Sequence, residues 1–209
     1  MEAAERSLPT QPRSQERVEK IVRATQKMLA QHGYEETTIK RIAEAAGIKQ
    51  TSIYRYYPNK RAVISVLADI FINEQNKAIT HCIEESLRGE SPKKILSDFI
   101  ALLRMAMGQE PWIAPAQLAL RSDPKLRDRH EEVLDHFAER FSLLLSGFGA
   151  TVEGEALLRV SRTLVLILDG YMLAIGRAPE TKHLNIQEDF EQVINSYLAL
   201  YITSKSHSS

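Results

Sequence analysis

The segment from residue 37 to residue 60 constrains the fold of this chain more than any other. Its first part has apolar residues at i, i+3, i+4 and i+7, which gives one apolar helical face: Ile39, Ile42, Ala43 and Ala46. Gly47 supplies a left-handed turn, and a second helix is predicted within residues 48–57, because Pro58 drives Tyr57 out of the α region. Asn59 is placed to cap a third helix. Two short helices around a glycine turn are typical of DNA-binding proteins.

Charge is distributed unevenly along a chain that is neutral overall. The sequence has 209 residues with 27 Lys and Arg and 27 Asp and Glu. Residues 1–60 hold eleven basic and seven acidic side chains, and residues 61–209 hold sixteen and twenty. This excludes a nonspecific polycation and suggests that the N-terminal part faces an anion.

We expect a protein of a reducing compartment with no membrane span. Cys82 is the single cysteine, so no intramolecular disulfide is possible. The longest apolar run, residues 164–175, is interrupted by Asp169 and is shorter than the roughly 18 uncharged residues that a span needs. The first dozen residues lack the apolar stretch of a secretory signal.

Helical periodicity along the chain predicts an all-α fold. Residues 1–14 are expected to form a flexible arm, and residues 15–60 a three-helix bundle with a helix-turn-helix. A long helix from Asn59 to about Leu87 would join this bundle to a larger helical domain over residues 61–205. Later helices are predicted at about 95–107, 125–148, 155–177 and 187–203, with a short helical or irregular piece around Trp112.

The second helix of the motif carries side chains suited to DNA recognition. Lys49, Gln50 and Thr51 at its start have the chemistry to contact guanine, adenine and the thymine methyl group, respectively. Ile53 and Tyr57 are four residues apart and are expected to pack inward. Four other residues are expected to contact phosphates: Thr38, Tyr54, Tyr56 and Lys60.

The order Gly47-Ile48, then Thr51-Ser52-Ile53-Tyr54-Arg55-Tyr56-Tyr57-Pro58-Asn59-Lys60, resembles the DNA-binding signature of the TetR family of bacterial transcription regulators. The likeness extends over residues 17–70. Lys49 stands where the family often has a serine cap, and Tyr56 where it often has histidine. The resemblance implies a homodimeric repressor of the bacterial cytoplasm and nucleoid. A mostly apolar small molecule would release it from a palindromic DNA operator.

The resemblance also implies that a C-terminal domain binds the ligand and dimerises through its last two helices. Independently, the helix at 155–177 and the stripe near the C-terminus are more apolar than one small bundle needs. The expected dimer interface comprises Leu164, Leu168, Phe190, Val193, Ile194, Tyr197, Leu198 and Tyr201. The expected pocket for a mostly apolar effector comprises Arg104, Met105, Trp112, Gln117, Phe137, Phe141, Asp169, Tyr171 and Met172.

Two alternatives to a ligand-responsive repressor are an enzyme and a DNA-binding protein that does not sense a ligand. An enzyme is disfavoured, because the glycines at 147, 149 and 154 do not form a GxGxxG loop and His130 and His136 lie on different sides of a helix. We therefore expect no catalytic residues, no cofactor and no metal. A ligand-independent or partner-regulated DNA-binding protein, or an activator, stays open, since the residues of the expected pocket could equally form a packed core.

Overall fold

The computed structural model describes residues 12–176 and 180–202, and the regular secondary structure in these two ranges is helical. The all-α prediction is thereby confirmed. The helices are α1 (Pro12–Glu36), α2 (Ile39–Ala46), α3 (Gln50–Ile53), α4 (Lys60–Leu87), α5 (Pro92–Gln109), α6 (Ile113–Ser122), α7 (Arg127–Gly147), α8 (Gly154–Ile175) and α9 (Glu180–Leu198), with a short 3-10 helix at Pro124–Leu126. Within the described ranges, no helix combines the length and apolar content that a membrane span requires.

The chain forms two compact units, and the first contains residues up to Ile70 together with Pro111–Arg127. Its core is one apolar cluster shared by α1, α2, the α3 region and the start of α4: Ile21, Ala24, Met28, Ile39, Ile42, Ala43, Ile53, Tyr57 and Val63. Full burial of one such aliphatic side chain contributes about 1.5 to 3 kcal/mol. α6 packs against α1 in the same unit. The small core therefore fixes the helices of the motif to one another.

The second unit contains Phe71–Glu110 and the residues from Asp128 onward. α5, α8 and α9 pack against one another there. The ring of Phe137 on α7 meets Phe71 edge to face with centroids 5.9 Å apart, and Phe141 meets Phe99 in the same way at 5.5 Å. Such aromatic pairs add about 0.5 to 1.5 kcal/mol beyond the area that they bury.

The start of α1 differs from the predicted flexible arm. Residues 1–11 lie outside the described part of the chain, and residues 12–14 already form the first turn of α1. Pro12 suits the first helical position, where no backbone N–H is needed. Gly33 breaks the helical geometry near the end of α1, with φ of 70°.

Two helices differ in length from the prediction for physical reasons. α3 is a single turn, because Lys49 is extended and residues after Ile53 turn, with the Tyr56 N–H donating to the Ile53 carbonyl. The piece after Trp112 is a regular ten-residue helix, although it contains Pro115. Proline fits in a first helical turn because the N–H that it lacks would have no intrahelical acceptor there.

The first compact unit also extends beyond the boundary that was expected at residue 60. The first unit keeps Lys60–Ile70 of α4 and gains α6 with the segment around it. Sequence periodicity does not reveal this, because α6 is separated from the motif by more than forty residues along the chain.

Candidate nucleic-acid interface

The turn between α2 and α3 is built by two residues with defined backbone geometry. Thr38 is extended and caps α2, its hydroxyl oxygen accepting from the Arg41 N–H at 3.3 Å. Gly47 has φ of 65° and ψ of 32°, and its N–H donates to the Glu44 carbonyl. Since a side chain is strained in this left-handed region, glycine sets the angle at which α3 leaves α2.

The α3 region has an inner and an outer side. Ile53 is fully buried and Tyr57 is nearly so, which confirms the prediction that both pack inward. Burial also raises the pKa of the Tyr57 phenol. The three expected base-contacting residues are all exposed at the start of the same helix: Lys49, Gln50 and Thr51. The core thus anchors α3 through one side and presents the other side to solvent.

Gln50 and Tyr54 interact on the exposed side. The Gln50 amide donates from Nε2 to the Tyr54 hydroxyl oxygen at 3.1 Å. This leaves the Gln50 carbonyl oxygen as an acceptor and its second N–H as a donor, which is the pair of groups that matches adenine N6 and N7. The phenolic proton of Tyr54 stays available for donation to a phosphate oxygen.

The other expected phosphate contacts differ in exposure. Thr38 is exposed, and because its oxygen accepts from Arg41, its hydroxyl proton can still be donated outward. Tyr56 is half-buried and packs against the apolar core of the first unit. The backbone N–H of Ala62 donates to the Asn59 side chain at 3.1 Å, which confirms the predicted cap of α4.

Lys60 has an internal role that the sequence does not predict. Its ammonium donates to the backbone carbonyl of Tyr34 at 2.9 Å and lies 3.9 Å from the centroid of the Tyr34 ring. A cation above an aromatic face is attracted by the ring quadrupole. Lys60 therefore joins the start of α4 to the end of α1, while its further N–H donors keep the phosphate contact a prediction.

A buried carboxylate in the first unit, that of Asp123, also lies outside the sequence prediction. Asp123 is buried, and its Oδ2 accepts from the Tyr34 hydroxyl and from Arg61 Nε, both at 2.6 Å. Its Oδ1 accepts from the Lys125 backbone N–H at 3.0 Å. Burial alone would raise the pKa of Asp123, but these hydrogen bonds and the Arg61 charge outweigh it and lower the pKa to about 2.

The nine residues expected to line an effector pocket do not all belong to one unit. Trp112 and Gln117 are buried in the first unit, and the other seven belong to the second. Met105 is 51% exposed, so its side chain points away from the core. Phe137 and Phe141 pack edge to face against neighbouring rings. The pocket assignment of all nine residues stays a prediction, and the exposure of Met105 disfavours that residue.

Asp169 and two neighbouring residues of α8 lie inside the second unit. Asp169 is 3.5 Å from Nε2 of His130 on α7, in a pair that is largely shielded from solvent. Met172 is buried, and the ring of Tyr171 stacks on Phe190 of α9 with centroids 4.2 Å apart. These contacts place Asp169 and Tyr171 against different helices.

The structure corrects part of the expected dimer interface. Four of its members are buried by the helices of their own chain and therefore have no surface to offer a partner: Leu164, Leu168, Ile194 and Leu198. Phe190, Tyr197 and Tyr201 are half-buried, and the Tyr197 hydroxyl donates to the Val160 carbonyl. Val193 is 54% exposed. The apolar periodicity identified the inner side of these helices, because core packing produces the same pattern as an interface.

Exposed apolar residues on α8 and in the segment after α9 were missed by that pattern. Leu158 and Leu166 lie on the exposed side of α8. Leu200, which follows the end of α9, is exposed too. Gly170 on α8 is exposed as well. A helical wheel that separated the two sides of α8 would have found the first two residues.

Comparison with known proteins agrees with this geometry. The model of the bacterial regulatory proteins of the TetR family matches residues 21–67, the stretch that holds the motif and its core. The uncharacterized HTH-type transcriptional regulator YerO of Bacillus subtilis (strain 168) is 30% identical over 81 residues, which are 39% of this chain and 28% of that protein. The HTH-type transcriptional regulator EthR of Mycolicibacterium smegmatis is 25% identical over 118 residues, covering 56% of this chain and 54% of EthR.

The chain therefore spans about a quarter and about half of the lengths of these two curated relatives. Among solved structures, the TetR-family repressor FadR of Thermus thermophilus, in complex with lauroyl-CoA, superposes with a TM-score of 0.66 at 21% identity. That superposition covers 92% of this chain and 98% of FadR, and it shows a shared fold. The matched proteins named here are transcription regulators rather than enzymes.

Proposed function

Because residues 21–67 match the model of the TetR family of bacterial regulatory proteins, we propose that the chain is a member of this family. In this proposal it is a homodimeric repressor that binds a palindromic operator and is released by a small molecule. One observation carries the DNA-binding part of this proposal. Lys49, Gln50 and Thr51 are exposed together at the start of α3, while Ile53 on the same short helix is buried in the core. A rigidly anchored helix with three exposed base-reading side chains suits the major groove.

Phosphate contacts would fix the position of α3 on the duplex. Thr38 and Tyr54 each keep a hydroxyl proton for donation outward, and Tyr56 and Lys60 lie close to them in sequence. Such contacts supply affinity and orientation without reading sequence. Lys60 would donate to a phosphate with an N–H that is not used for the Tyr34 carbonyl.

Dimerisation is proposed through the outer sides of α8 and α9. Leu158, Leu166 and Gly170 on α8, with Val193 on α9, offer an apolar surface that one chain leaves exposed. Two such pairs of helices related by a twofold axis would form a four-helix interface. Twofold symmetry would place two recognition helices about 34 to 36 Å apart on successive major grooves, at half-sites of a palindrome.

The proposed effector is a mostly apolar molecule bound by the second unit. The Thermus thermophilus FadR structure, which shares the fold, contains lauroyl-CoA. An effector with different affinities for the DNA-binding and DNA-free conformations would weaken operator binding by the difference between those affinities. The proposal also includes location in the bacterial cytoplasm at the nucleoid, because a DNA-binding protein acts there.

A second candidate is a regulator that does not respond to a ligand. It is favoured by the edge-to-face packing of Phe137 on Phe71 and of Phe141 on Phe99, since these contacts are those of a filled core. The fold alone is compatible with both candidates. Whether an added apolar ligand alters operator affinity separates the two.

Selection of bound sequences from a random duplex pool tests the DNA-binding proposal. The full-length protein should enrich a palindrome whose half-sites are about 10 base pairs apart, centre to centre. Gln50→Ala should relax the preference at one position in each half-site, whereas the exposed Gln109→Ala at the end of α5 should leave the enriched sequence unchanged. A pool without enrichment would contradict the proposal.

A further inference from the structure

An internal polar cluster joins α5, α8 and α9 in the second unit. Arg104 on α5 is partly buried, and its Nε donates to Gln187 Oε1 on α9 at 3.1 Å. Gln187 in turn donates from Nε2 to Glu191 Oε1 at 2.7 Å. Phe190 lies between these two positions on α9 and stacks on Tyr171 of α8. The arrangement brings a guanidinium, an amide, a carboxylate and a phenol to the same region.

The Tyr171 hydroxyl is the unusual member of this cluster. Tyr171 is only 3% exposed, and its hydroxyl has no hydrogen-bond partner among the described residues. Buried polar atoms are nearly always paired, so an unpaired one requires an explanation. Burial raises the pKa of this phenol, the Arg104 charge acts in the opposite direction and the Glu191 charge raises it. The group therefore stays a protonated donor at neutral pH.

The partner of Arg104 within the cluster is a neutral amide. Glu191 accepts from Gln187 rather than from the guanidinium in the contacts described above. A guanidinium has five N–H donors in a planar fork that matches a carboxylate, and a desolvated cation attracts an anion strongly. The cluster thus combines a cation with a neutral donor, and both are complementary to an oxyanion.

We propose that Arg104 and Tyr171 bind the carboxylate of an otherwise apolar effector. This rests on the proposed function, in which the second unit binds a small molecule. The neighbours along the helices are apolar and buried, namely Leu103, Met172 and Ile194. One guanidinium and one phenol match the two oxygens of a carboxylate. The nearby Glu191 charge opposes any anion, but it opposes a monoanion less than a dianionic phosphate.

The assignment predicts an opposite effect of one substitution on stability and on binding. Tyr171→Phe removes a buried hydroxyl that lacks a partner, so the ligand-free protein should melt at a higher temperature. The same substitution removes a donor to the ligand, so the affinity for a carboxylate should fall about three- to tenfold. A hydroxyl with a purely structural role would have a partner, and its loss would lower the melting temperature.

Ser161 provides a matched control on the same helix. Its hydroxyl is fully buried and unpaired among the described residues, ten positions before Tyr171. Ser161→Ala should also raise the melting temperature, but it should leave ligand affinity unchanged. A loss of affinity in Ser161→Ala equal to that in Tyr171→Phe would overturn the assignment.

Calorimetric titration of the full-length protein with dodecanoate and with dodecan-1-ol tests the preference for a carboxylate. These probes share their chain and differ in the end group. Dodecanoate should bind about tenfold more tightly, and Arg104→Met should bring the two affinities together. Arg104→Lys keeps the charge but loses the planar guanidinium. If Arg104→Met fails to fold, Arg104→Lys replaces it and should show a reduced but measurable preference for dodecanoate over dodecan-1-ol. Equal affinities in the wild type, or an unchanged preference in the folded variants, would overturn the proposal.

Lauroyl-CoA is the third probe, because its thioester replaces the carboxylate on the same chain. Lauroyl-CoA should bind more weakly than dodecanoate. The proposal would be overturned if lauroyl-CoA bound more tightly than dodecanoate and Arg104→Met left that affinity unchanged. The titrations contain no DNA. If the sequence selection enriched no operator, that result would therefore count against the regulatory function alone. The comparison of the probes would still decide whether Arg104 and Tyr171 bind a carboxylate.

Discussion

Arg61 and Asp123 form an ion pair across 62 residues of sequence, with 2.6 Å between Nε and Oδ2. The same carboxylate accepts from the buried end of Tyr34 at the end of α1. Three segments of the first unit therefore meet at one side chain: the end of α1, the start of α4 and the residue that follows α6.

Asp123→Asn should destabilise the protein. Asn keeps the shape but loses the charge that strengthens the bonds from Tyr34 and Arg61, and a hydrogen bond to a charged group contributes about 1.5 to 3 kcal/mol. Urea unfolding would measure the loss. Asp98→Asn is the control, because Asp98 forms an exposed pair with Lys94 and should change stability by less than about 0.5 kcal/mol. Equal effects in the two variants would contradict a structural role for Asp123.

The pKa of Asp123 predicts a pH dependence of stability. It lies at about 2 in the folded protein, below its ordinary value of 3.8. A lowered folded pKa gives stability that is complete above about pH 4 and is lost as the pH falls through 3.8 toward 2. Unfolding followed between pH 2 and pH 6 should show this decrease in the wild type. Asp123→Asn should show a smaller decrease over the same range, and parallel curves would refute the assignment.

Tyr54→Phe should weaken operator binding about two- to tenfold, the loss expected for one or two hydrogen bonds of ordinary strength. It removes the acceptor of the Gln50 amide as well as the proposed phosphate donor. A double-mutant cycle with Gln50→Ala, measured by fluorescence anisotropy on the selected operator, should show that the two effects are not additive. Additive losses would mean that Tyr54 does not orient Gln50.

Lys60→Ala should lower both stability and the salt dependence of DNA binding. Loss of the contacts with the Tyr34 carbonyl and ring should cost about 1 kcal/mol. Loss of a phosphate contact should reduce the slope of log K against log salt by about 0.9. Lys77→Ala is the control, since Lys77 is exposed and pairs with Glu74 in the second unit. An unchanged slope would restrict Lys60 to its internal role.

Val193→Asp should dissociate the proposed dimer. Val193 is exposed on α9, so a charge there costs the folded chain little but would be desolvated in an apolar interface. Sedimentation should show a monomer, with loss of high-affinity operator binding and unchanged helical circular dichroism. Leu143→Asp, an equivalent change at an exposed leucine of α7, should leave the dimer intact. A dimeric Val193→Asp protein would move the interface elsewhere.

The motif was predictable from sequence because its determinants are local. Gly47, Pro58 and Asn59 fix a turn, a helix end and a cap through their own backbone or side-chain chemistry. The inward packing of Ile53 and Tyr57 followed from helical spacing. Each of these features depends on residues within a few positions of one another.

Features that depend on long-range packing were not predictable in the same way. Asp123 is a typical helix-end residue by sequence, and its partners lie 62 and 89 positions away. The stripes of α8 and α9 indicated a buried surface correctly, but the period of a helix does not say whether its own chain or a second chain covers that surface. The sequence therefore predicts a partner contact for Leu164 and Ile194, which the helices of their own chain bury.

The single turn of α3 separates the side chains that hold the fold from those proposed to read DNA. Ile53 supplies the anchor, and substitutions at Lys49, Gln50 or Thr51 should therefore change operator preference at little cost to stability. A regulator built in this way is free to acquire a new target sequence through point mutations. Its recognition specificity can evolve because the stability of the fold does not depend on the side chains that read DNA.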